Sequence, residues 1–311
     1  MNKLRLGPIL LFVLLSYGFA WLVALPLWLD RGLNNPLFLL LSVLMMGTPA
    51  LAALITSKLT EPTLGLATSL GLSPWKPISR LLMYAGLAIL LSVSVHLMAL
   101  VVGSLFGVFH FDLRNFSAFD ELLRSKLAGH EDVLAKLPPL WLLVIAQALA
   151  ILPGSVLNAI PALGEELGWR GWLLPKLMPL GTFPAIVISG VIWALWHAPV
   201  ILLGYNYPTV SVWVGMSCMI AMCVCVGALL AWLRLRSASV WPVAVAHGAF
   251  NGAAGFYLLI GKSGYAVNTS EATALGWTGW LFPALLAWVL FKFWKPAQGT
   301  SVSAIDGTQT P

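Results

Sequence analysis

Glu165 and Glu166 are adjacent carboxylates within the stretch L-G-E-E-L-G-W-R-G-W-L-L-P-K-L-M, residues 163–178. The other nine of the eleven acidic residues fall in polar linkers or in the C-terminal tail. An ionisable group at membrane depth costs roughly 2.5–3.5 kcal/mol on insertion scales, so it is expected to face a bundle interior and to have a partner. At about 100° per residue on a helix, Glu166 and Arg170 are i,i+4 neighbours able to pair, whereas Glu165 points about 140° away from Arg170. One carboxylate thus has an in-helix counter-ion, and the other is left to face something else. Two later apolar runs carry further polar groups. His197 ends V-I-W-A-L-W-H, one turn after Trp193, and His247 shares a helical face with Asn251 in H-G-A-F-N. Such a set offers a base to activate water, a second group to hold it and donors for a tetrahedral oxyanion, which are the needs of amide hydrolysis. No serine lies in a G-x-S-x-G elbow, which argues against serine-type chemistry. The plain alternative is an ion-paired kink with no chemistry.

These groups must be positioned by helices in a membrane. Hydrophobic residues make up 59% of the 311-residue chain and charged residues only 9%, against about 25% charged in soluble domains. The expected fold is all-α, a polytopic bundle of about eight transmembrane helices with the site inside it. The spans are placed at about 8–29, 37–57, 79–106, 139–160, 183–203, 209–233, 240–260 and 275–294, each about the 20 residues that a bilayer requires. The formal net charge of +6 does not point to nucleic acid, because the basic residues sit mainly at span ends, where orientation needs them. With the N-terminus inside, basic residues favour the inner segments, so both termini are expected to be cytoplasmic. The first apolar run lacks a good cleavage site and is read as a retained span.

The remaining polar and reactive residues take ordinary roles. His96 is expected to make a helix–helix hydrogen bond, and His110 and His130 to be solvated in a linker. Cys218, Cys223 and Cys225 lie in one apolar run without metal-knuckle spacing and are assigned to packing. In the 107–138 linker, Ser117, Asp120 and Gly129 suggest a helix over about 118–128, capped by Ser117 and lying along the membrane surface as a connector or a cover. The 58–78 linker, with Pro62, Pro74 and Pro77, reads as an ordinary cytoplasmic loop. Counting 1.5 Å per residue, His197 lies about 20 Å along its span and His247 about 10 Å along its own. They meet only if the spans differ in tilt or depth.

The three polar motifs resemble the signature of the CPBP family of intramembrane proteases, the CAAX proteases and bacteriocin-processing enzymes also called the Abi family. That signature is E-E-x-x-x-R, then aromatic-x-x-x-H, then H-x-x-x-N/D. It is matched here by Glu165, Glu166 and Arg170, by Trp193 and His197, and by His247 and Asn251. Trp193 stands where phenylalanine is common. The resemblance implies an endopeptidase of the type II CAAX prenyl endopeptidase kind, with a catalytic core over 139–260. The first three helices and a surface linker would occupy 1–138, a last helix 261–295 and a disordered cytoplasmic tail 296–311. It implies Glu165 as the general base, His197 helping to hold the water, Glu166 pairing with Arg170, and His247 and Asn251 stabilising the oxyanion. Its partners would be membrane lipid and a peptide or protein substrate, lipidated ones among them. No cofactor is favoured. Zinc held by Glu165, His197 and His247 is the alternative, although the His-Glu-x-x-His helix of zincins is absent. A non-proteolytic scaffold or immunity protein that retains the fold, and a transporter using the charges as a proton relay, are the rival classes.

Overall fold

The computed structural model describes residues 4–294, and the expected tail lies outside them. The chain is helical almost throughout. No strand occurs among the described residues, where extended pairing is limited to one isolated bridge between Phe111 and Gly261. In lipid every backbone polar group must be satisfied within the protein, which leaves the helix as the natural element for so apolar a sequence. Among the described residues, five runs are long and apolar enough to cross a membrane: α1 (Leu6–Leu29), α2 with α3 (Phe38–Met46 and Thr48–Thr60), α5 (Ile78–Leu105), Leu140–Leu180 and α12 (Val212–Ser237). Two shorter apolar helices, α10 (Thr182–Trp196) and α15 (Trp277–Phe293), fall at expected spans.

Three spans differ from the sequence reading. The second breaks at Gly47, between α2 and α3. The one expected to end near residue 160 instead runs as α8 (Leu140–Glu166), widens into a π-helix over Leu167–Leu173 and continues through α9 (Leu174–Leu177). The apolar helical run Leu140–Leu180 is 41 residues long, so Glu165 and Glu166 stand where its geometry changes. The span expected over 240–260 is two helices, α13 (Trp241–Ala253) and α14 (Phe256–Ile260). Pro242 sits in the first turn of α13, where a missing N–H costs nothing.

Small residues let the site-bearing helices approach closely. A Cβ on Gly168 would lie 2.5 Å from the Pro49 side chain, and one on Gly164 2.8 Å from the Met46 carbonyl. The π segment therefore rests directly on the α2–α3 break. A Cβ on Gly248 would lie 2.5 Å from the Ser155 carbonyl, so α13 crosses α8 nearly backbone to backbone beside His247. Close packing of this kind replaces the hydrophobic driving force that lipid cannot supply. Side chains add ties: Tyr17 OH donates to Ile192 O at 2.8 Å, Trp28 Nε1 to Pro199 O at 2.9 Å and Trp196 Nε1 to Thr48 Oγ1 at 3.0 Å. Under the π segment, Phe12 packs between Trp169 and Trp172, with ring centroids 5.5 and 4.9 Å away.

Both linkers are more tightly fastened than expected. In the 58–78 segment a short helix α4 (Leu66–Ser69) leads into Leu70, which is buried against the core, and Gly71. Gly71 O accepts from Val240 N at 2.9 Å and Leu72 O from Trp241 Nε1 at 3.1 Å, so this is no ordinary loop but the seat of the start of α13. In the 107–138 linker the helix α6 is Ser117–Lys126, followed by α7 (Glu131–Leu134). Ser117 does not cap α6. It is the first helical residue, and its hydroxyl accepts from Ser263 N. The capping role passes to Asp112, whose carboxylate accepts from the N–H groups of Arg114, Asn115 and Ser117. A hydrogen bond from the Ser117 side chain, and after it these backbone N–H groups, hold the Asp112 carboxyl below its usual range, at about 2.

Candidate active site

The end of α8 carries the two glutamates, both buried at 2% and 0% exposure, and their surroundings are opposite in kind. Glu166 is an ionic centre. Arg170 Nη1 donates to its Oε1 at 2.9 Å and to its Oε2 at 3.2 Å. His247 Nδ1–H, brought across by α13, donates to the same Oε1 at 2.7 Å. The in-helix pair expected from spacing is therefore present, and the structure adds His247 to it.

Among the described residues, no cation stands at hydrogen-bond distance from Glu165. Its Oε2 accepts from Trp193 Nε1 at 2.7 Å and, more loosely, from Trp169 Nε1 at 3.4 Å. Trp193 is the hub of the arrangement. Its ring lies against His197 (centroids 5.9 Å apart) and His247 (5.4 Å), and the Arg170 guanidinium stacks over it at 4.2 Å. The two histidines flank one indole, which resolves the depth mismatch reckoned from helix starts.

His197 closes α10 at a tightened turn, its N–H bonding to Ala194 O, and α11 (Ala198–Ile201) restarts with Pro199 in its first turn. His197 Nδ1 donates to Trp193 O at 2.9 Å. A carbonyl can only accept, so Nδ1 bears the proton and Nε2 is the nitrogen left for other partners. By the same reasoning His247 commits Nδ1–H to Glu166 and keeps Nε2. Asn251 follows His247 by one turn on α13, and its side chain is exposed rather than packed into the cluster. Glu165, Glu166, Arg170, His197 and His247 are thus brought together, with Asn251 at the margin. No group of three His, Cys, Asp or Glu side chains among the described residues is placed to hold a metal ion, so Glu165, His197 and His247 do not form a ready zinc cage. His96 makes the helix–helix hydrogen bond expected of it, Nε2 donating to Phe250 O at 2.9 Å. Cys218 and Cys223 are buried in the core.

Two contributors escaped the sequence reading. The Trp193 N–H is a donor that phenylalanine at this position would lack; the indole at the aromatic-x-x-x-H position was its only signal. Arg234, one of the basic residues at span ends read there as setting orientation, is 1% exposed and donates Nε–H to Arg170 O at 3.0 Å. Nothing in its local sequence separates it from Arg236 two residues later.

Fold and site together define a polytopic helical membrane protein with a buried carboxylate and histidine cluster at a helix irregularity. Residues 145–253, which contain all three motifs, match the family described as Rce1-like, type II CAAX prenyl endopeptidase. Over 144 residues the chain is 26% identical to the CAAX prenyl protease 2 of Methanococcus maripaludis, an alignment covering 45% of this chain and 49% of that relative. The chain thus matches about half the length of the relative. The resemblance carried by the three motifs is borne out.

Proposed function

We propose that this chain is an intramembrane endopeptidase that hydrolyses peptide bonds of membrane-associated or lipidated substrates. The observation that carries the reading is a buried carboxylate, Glu165, held by the N–H of Trp193, whose ring contacts two histidines that each commit Nδ1 elsewhere and leave Nε2 without a partner among the described residues. Glu165 takes a proton from water as the oxygen attacks the scissile carbonyl carbon. His197 Nε2 accepts the water's other O–H and orients it. The resulting oxyanion receives hydrogen bonds from Asn251 and from His247 Nε2–H when that ring carries both protons. Glu165 then returns its proton to the departing amine. Glu166, fixed by Arg170, holds His247 in one tautomer and orientation, as a carboxylate partner orients a catalytic histidine elsewhere. The relative's name, a CAAX prenyl protease, supports a lipidated peptide as the substrate class. The distribution of basic residues supports a cytoplasmic position for both termini.

Purified protein and Glu165→Ala are to be assayed on membrane-anchored and lipidated peptides. Cleavage by the wild type alone is expected, and equal cleavage by both would overturn the reading. The proposed chemistry is metal-free, so activity should survive exhaustive chelation. Loss of turnover on chelation that zinc alone restores would replace Glu165-activated water with the zinc form.

A further inference from the structure

The π segment changes which backbone groups can pair. Leu174 N–H donates to Trp169 O, five residues back. In that register the next carbonyl, Arg170 O, would receive the N–H of residue 175. That residue is Pro175, which has none. The ordinary α register offers only Leu174, whose N–H is already given to Trp169. A buried carbonyl left in this position costs as much as a lost hydrogen bond.

Arg234 fills the gap from another helix. Its Nε–H donates to Arg170 O at 3.0 Å across a sequence separation of 64 residues. The guanidinium is 1% exposed, and its Nη1 has no hydrogen-bond partner among the described residues. Gly71, at φ +71°, closes over it so tightly that a Cβ there would lie 2.8 Å from Nη2. Burying a cation is costly unless something is gained. Here its hydrogen bond goes to the carbonyl of the residue whose own guanidinium anchors Glu166.

We propose that Arg234 is a positioning residue of this site: it supplies the proton that Pro175 lacks, holds the π turn, and so keeps Arg170 on Glu166 and Glu166 on His247. It touches no reacting atom. The proposal rests on the endopeptidase reading only for its turnover readout; the coupling of Arg234 to Pro175 is independent of it.

The test compares wild type, Arg234→Met, Pro175→Ala and the double variant in one detergent. It follows kcat and KM and, separately, the NMR signal of the labelled His247 imidazole, which reports the Nδ1–H bond to Glu166. Arg234→Met is expected to lower kcat about tenfold or more, to leave KM within about twofold and to shift the His247 signal, while Pro175→Ala stays near wild type. In the double variant the new N–H at 175 replaces the lost donor, so about threefold or more of kcat returns and the His247 signal moves back. Should Arg234→Met fail to accumulate, the same rescue is read in folded yield. An equal loss from Arg234→Met with and without the proline overturns the proposal, as does a His247 signal that never moves. If the wild type cleaves nothing, the endopeptidase reading fails, and the His247 signal and folded yield still decide the role of Arg234.

Discussion

Two sides of one helix end separate two chemically identical residues. On the Glu166 side, α13 delivers His247 and the π segment delivers Arg170, so one carboxylate oxygen is shared by two groups able to carry positive charge. On the Glu165 side, α10 delivers Trp193, and among the described residues the hydrogen bonds that the carboxylate accepts come from neutral indole N–H donors. Adjacent carboxylates with environments this different can take different roles, one as scaffold and one as base. The difference comes from what packs beside each residue, not from the residues themselves.

The comparison breaks most severely at its ionic side. Glu166→Ala leaves Arg170 buried without its carboxylate, and Arg170→Ala does the converse. Each should cost about 3–5 kcal/mol of stability, with the double variant recovering part of the loss in chemical or thermal melts. Gly248→Ala would force α13 off α8 and draw His247 away from Glu166 while sparing the Glu165 side. Overpacking there should cost about 1–3 kcal/mol and lower turnover. Trp193→Phe attacks the other side, removing the 2.7 Å donor to Glu165. Turnover should fall about tenfold, in line with about 1.5–3 kcal/mol for a hydrogen bond to a charged group, with a smaller change in melting temperature than Glu166→Ala produces.

The smallest effect lies outside both sides. The Asp112 carboxyl is held at about 2, below its ordinary 3.8. A lowered folded value means that its contribution is complete above the ordinary value and is lost as pH falls through the folded one. Amide protection in residues 112–118, relative to the intrinsic exchange rate at each pH, should therefore be full at neutral pH and be lost only in strong acid. Asp112→Ala should lower it at pH 7 without changing turnover.

Much of this was legible in the chain. The all-helical membrane class followed from composition, and spacing alone paired Glu166 with Arg170, because helical periodicity is a local property. The expected ends of α1, α5 and α12 stand within a few residues of the observed ones. What the chain concealed is non-local. The π turn at 167–173, the seat of α13 on Gly71 and Leu72, the bond from His247 to Glu166 and the burial of Arg234 all depend on which helix lies against which. The depth mismatch between His197 and His247 came from counting along helices as if all began at one surface. A shared contact with Trp193 removes it.

The most direct test sets Glu165→Gln beside Glu166→Ala, with melting temperature and turnover per folded molecule measured in one detergent. Glu165→Gln keeps an acceptor for the indole donors and removes only the base, so its melting temperature should equal or slightly exceed the wild type. Its turnover should fall at least about 100-fold, the low end for losing a general base. If instead Glu165→Gln destabilises as much as Glu166→Ala while turnover per folded molecule is kept, the pair of glutamates is a structural kink, and the division of roles between them is contradicted.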